Sequence, residues 1–117
     1  MSMDERLQKA LEFSNYTLTL NNQKRNIKNR VAQLQMVHSN GGVFIANHET
    51  IAFIKLLVDR EEKNIIVLDS KENPIKVTDV SELLEKLLSA YQSATNEYMN
   101  EYDKLRKARN IKQIMDW

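Results

Sequence analysis

Two groups of cations carry the clearest chemistry in this sequence. Lys24, Arg25, Lys28 and Arg30 lie within residues 13–48, a stretch without a single aspartate or glutamate. Lys104, Arg106, Lys107, Arg109 and Lys112 form a second group near the C-terminus. Lysine and arginine at this density can neutralise several phosphates, so nucleic acid is one partner class to consider. The net charge of only +1 argues for a milder reading, in which the cations are solvated helix faces and local ion pairs.

Catalytic chemistry has less to work with. His38 and His48 have no carboxylate or nucleophile at a spacing that would make an acid–base or nucleophilic pair. Two histidines and no cysteine provide no metal-ligand pattern. The two glycines are adjacent, and no Lys-Ser or Lys-Thr follows them, so there is no phosphate loop. The expectation is a protein that is not an enzyme and needs no cofactor or metal.

These side chains must be positioned by a few long elements, because two glycines and one proline leave little material for turns. With 42% hydrophobic and 28% charged residues, 117 residues suit one folded domain rather than a disordered chain. The absence of cysteine suits a reducing compartment. The opening MSMDERLQKALEF lacks the apolar centre of a signal peptide, and no apolar run approaches membrane length. A soluble, cytoplasmic protein with no membrane partner is expected.

The first helix is read as residues 4–39, stopping at Ser39-Asn40-Gly41-Gly42, where glycine favours a helix end. Residues 42–46 read as a strand and 48–62 as a helix capped by Asn47 and apolar on nearly all faces, hence well covered. Strands at 65–68 and 75–77 follow, separated by the turn cluster 69–74. Strand, helix and strand predict a parallel crossover with a third strand added as a hairpin. Thr78 or Asp79 caps the last helix, 79–115, with Glu82 placed to close a capping box on Asp79.

Both long helices carry apolar residues alternately three and four apart. On the first these include Phe13, Leu20, Ile27, Val31 and Leu34. On the last they include Leu84, Leu87, Tyr91, Ala94, Tyr98 and Leu105. Folding the chain back at the predicted helix ends sets Leu34 against Leu84, Ile27 against Tyr91, Leu20 against Tyr98 and Phe13 against Leu105. That register also brings Asp4, Glu5 and Glu12 near the C-terminal cations.

The fold expected is therefore α+β in one domain, residues 1–117: a coiled-coil hairpin of two long antiparallel helices with a β-α-β-β cap, residues 42–77, between them. Leu7, Leu11 and Leu18, with Tyr102 and Ile111, fall outside the paired seam and predict self-association into a homodimer or larger assembly. Ile114, Met115 and Trp117 would form an apolar tip able to anchor a further protein partner.

In outline this arrangement resembles a prefoldin-type subunit, though the intervening strand–helix–strand–strand cap departs from that pattern. The resemblance implies a chaperone-like holder as one role. The stretches Ala10-Leu11-Glu12-Phe13-Ser14-Asn15-Tyr16, Ala94-Thr95-Asn96-Glu97-Tyr98 and Lys107-Ala108-Arg109 resemble small structural or assembly proteins of marine contractile-tailed phages. That resemblance implies a virion component or assembly factor in the host cytoplasm or the virion, and it transfers no functional residues. The function expected is non-enzymatic assembly through protein–protein contact, with nucleic-acid association through the basic segments as the alternative.

Overall fold

The computed structural model describes residues 3–107. Three helices and two small antiparallel hairpins follow in the order α1, β1, β2, α2, β3, β4, α3. They divide into two compact units: one holds residues 1–30 and 98–117, the other Val31–Glu97.

α1 (Met3–Leu34) begins with Asp4 and Glu5 in its first turn, where carboxylates favour the helix dipole. It stops five residues short of the expected end at Ser39. The next segment is a strand, β1 (Met36–Ser39), paired antiparallel with β2 (Gly42–Ile45) from Met36↔Ile45 to Ser39↔Gly42. Its apolar period is two, with Val37 and Ser39 buried and Met36 and His38 exposed. Asn40 and Gly41 form the two-residue connection, with φ of 54° and 84°. Positive φ at both positions is what a type I′ hairpin turn demands, and Asn-Gly meets it at least cost. The glycines thus mark a hairpin, and the helix-end reading is corrected.

α2 (His48–Asp59) starts where expected, with the Asn47 side chain accepting from the Thr50 N–H at 2.8 Å. Its expected all-round cover is not found. Ile54 and Leu57 are buried, while Phe53 and Leu56 remain 49% and 54% exposed. β3 (Ile65–Leu68) then pairs antiparallel with β4 (Pro74–Val77). The predicted mixed three-stranded sheet does not form; there are two separate two-stranded sheets. β1, hidden in sequence as part of a helix, supplies β2 with a local partner, so no crossover from β2 to β3 is needed.

The turn between β3 and β4 binds the first hairpin. Asp69 Oδ2 accepts from the Val43 N–H at 3.1 Å, and the Ser70 N–H donates to the Val43 carbonyl at 2.8 Å. Asp69 Oδ1 accepts from the Asn73 and Lys71 N–H groups, both at 2.9 Å. Gly42 makes the approach possible: a Cβ there would sit 2.6 Å from Ile75 Cγ1.

α3 (Val80–Lys107) is capped by Asp79, whose Oδ1 accepts from Ser81 and Glu82 N–H groups at 3.0 and 3.2 Å. The Glu82 carboxylate pairs with Lys86. Val80, Leu83, Leu84 and Leu87 of α3 join Val37, Phe44, Ile54, Leu57, Val67 and Val77 in one core. Tyr91 packs partly against it and meets His48 Nε2 through its hydroxyl at 2.8 Å. Among the described residues, no helix is long and apolar enough to cross a membrane.

Two outcomes follow from this wiring. Gly41→Ala forces an alanine into positive φ and should destabilise by about 1–2 kcal/mol in urea melts. The Asp69 carboxyl is held below its usual value, chiefly by the Asn73 N–H, then by Val43, against the opposing effect of burial. Its contribution to stability is therefore present above the ordinary carboxylate pKa and lost as pH falls through the lower folded-state value. Wild type should lose stability on acidification below about pH 4, and Asp69→Asn should show a lower urea midpoint at neutral pH with a flatter acid slope.

Candidate functional site

In the unit formed by residues 1–30 and 98–117, α1 and α3 border a cavity of about 200 Å³ lined by Lys24, Ile27, Lys28, Tyr98, Tyr102 and Leu105. Ile27 and Leu105, 8% and 7% exposed, form its apolar floor. Tyr98 and Tyr102, one helical turn apart, hold their rings 19° from parallel with centroids 6.3 Å apart. Beside them, the Arg30 guanidinium lies 3.5 Å from Glu101 Oε1, which also takes Lys104 Nζ at 3.2 Å. Arg106 pairs with Asp103 at 3.1 Å.

These contacts correct the register. On the expected alignment Arg30 would face Leu88; it reaches Glu101 instead, about thirteen residues further along α3. Ile27, expected opposite Tyr91, shares its cavity with Tyr98, Tyr102 and Leu105. A slip near two heptads leaves the same stripes in apposition, so periodicity alone cannot detect it. On α1 Ile27 is buried and Tyr16, Thr19, Leu20, Gln23 and Val31 are partly covered. Phe13, placed in the seam by the sequence, is 66% exposed, and Leu34 is 39% exposed.

The slip also relocates charge. The α3 cations were expected beside Asp4, Glu5 and Glu12; Lys104 instead shares Glu101 with Arg30, while Lys24 and Lys28 line the neighbouring cavity. Glu101 and Asp103 engage Arg30, Lys104 and Arg106. Lys24, Arg25, Lys28 and Lys107 have no acidic partner among the described residues. Arg109 and Lys112 lie outside the described residues, as do Ile111, Ile114, Met115 and Trp117.

A second surface lies on α1 alone. Leu7, Leu11 and Leu18 are 61%, 56% and 59% exposed. At about 100° per residue they fall within an arc of roughly 40°, on the side of the helix opposite Ile27. Tyr102, grouped with them from sequence, lines the basic cavity instead.

The hairpin unit adds a surface that sequence reasoning assigned to the core. Thr50, Phe53, Ile66 and Leu68 border an open groove of about 430 Å³ between α2 and β3. Ile66 and Leu68 are 67% and 62% exposed. They alternate with half-buried Ile65 and buried Val67, an outward face that the all-apolar segment Ile65–Leu68 does not announce. Among the described residues, no group of three or more His, Cys, Asp or Glu side chains could hold a metal ion.

No protein-family model matches this chain, and neither does any curated protein or solved structure.

The register has a direct test, helped by the absence of native cysteine. A short bismaleimide should join cysteines introduced at Lys28 and Tyr98 within one chain, read as a shifted gel band at low protein concentration. The pair at Leu20 and Tyr98, opposed on the sequence-derived alignment, should cross-link far less.

Proposed function

We propose that this protein is a non-enzymatic structural or assembly protein that works by self-association, its two long helices forming an antiparallel coiled-coil pair. The observation carrying this reading is the exposed stripe of Leu7, Leu11 and Leu18, which faces away from the α1–α3 seam. Soluble monomers seldom leave an aligned apolar stripe bare. The resemblance to phage structural proteins supports the same kind of role, in a virion or its assembly.

Magnitudes limit how tight such a contact is. Burying a leucine completely is worth roughly 1.5–3 kcal/mol. Six leucines from two copies, each already partly covered, supply on the order of 5–10 kcal/mol, against an association cost of about 4–15 kcal/mol. The stripe by itself therefore supports a weak, concentration-dependent dimer. The apolar groove bordered by Phe53, Ile66 and Leu68 is a second contact surface. Two unlike surfaces on one chain permit growth beyond a dimer.

Light scattering at micromolar and higher concentrations should give a mass above one chain that rises with concentration. Leu11→Glu combined with Leu18→Glu should return the monomer while far-UV circular dichroism stays nearly unchanged. A strictly monomeric wild type would sink the proposal, and collapse of helix content in the double variant would reassign the stripe to internal packing.

A further inference from the structure

The cavity between α1 and α3 holds more chemistry than a helix seam requires. Ile27 and Leu105 already provide the apolar contact, both almost fully covered. Around them stand two near-parallel tyrosines, 38% and 45% exposed, and two lysines without an acidic partner among the described residues. We propose that this face binds single-stranded nucleic acid. An unstacked base rests on the Tyr98–Tyr102 rings, while Lys24 and Lys28, which line the same cavity, take the neighbouring phosphates.

Each part of the ligand answers a feature of the face. Exposed aromatic rings beside cations are how single strands are held without regard to sequence, because every base has a π face. At about 200 Å³ the cavity is smaller than the roughly 300–1,000 Å³ of a drug-sized site and suits one ring system. A duplex keeps its bases stacked and leaves the tyrosines unused. Glu101 and Asp103 are engaged in ion pairs, so Lys24 and Lys28 meet neither of them as a free carboxylate. Leu7, Leu11 and Leu18 take no part, so this inference stands or falls apart from self-association.

The test is fluorescence anisotropy with labelled oligothymidylate and oligouridylate of about 12 nucleotides, within the span of single-strand sites. Two phosphate contacts predict a slope of log K against log salt of about −1.4, or an affinity loss of about sevenfold between roughly 50 and 200 mM salt. Tyr102→Ala should weaken binding roughly tenfold with the salt slope and circular dichroism unchanged, and Tyr102→Phe should bind like wild type. Lys24→Glu with Lys28→Glu should weaken binding and flatten the slope by about 1.4. Absence of binding at low salt overturns the proposal. So does equal binding of a duplex, or capture of polyglutamate together with indifference to Tyr102→Ala, either of which would reduce the face to charge alone.

Discussion

α3 carries a single apolar stripe, and that stripe is divided along its length. From Val80 to Leu87 it is consumed by the hairpin core, where Leu83 and Leu87 have no exposed surface. What remains for α1 begins further along, at Tyr98 and Leu105. Replacing either buried leucine by alanine would remove about 2–5 kcal/mol, which is more than the exposed pairing of Arg30 with Glu101 can supply. The buried leucines are thus the stronger contacts of α3, and the exposed ion pair the weaker.

That division has chemical consequences. It brings lysines of α1 to the tyrosines and cations of α3, two groups that the expected alignment kept apart. It also leaves Leu7, Leu11 and Leu18 outside the described α1–α3 contacts.

Within the hairpin unit, Asp69 holds two small sheets together that would be weak alone. Isolated two-stranded hairpins are marginal in water. Here Val43 uses its N–H on Asp69 and its carbonyl on Ser70, so each hairpin satisfies backbone groups of the other. Gly42 allows the close approach because it has no Cβ to meet Ile75.

Local pattern in the sequence was enough for the Asn47 cap, for Asp79 as one of two candidate caps, for the stripe on α3 and for the leucines that stay bare on α1, because each depends on neighbours within one or a few helical turns. The sequence also contained the Asn-Gly hairpin turn, which was misread because a glycine pair after a helix serves equally as a stop; the alternating burial along β1 exists only in the folded chain. The register of α1 on α3 was decided only by tertiary structure. Heptad stripes coincide at every whole-heptad slip, and nothing local distinguishes one alignment from the next. The choice is visible in long-range contacts such as Arg30 with Glu101. With that choice came the meeting of Lys24 and Lys28 with Tyr98 and Tyr102, a site that no spacing along the chain could have revealed.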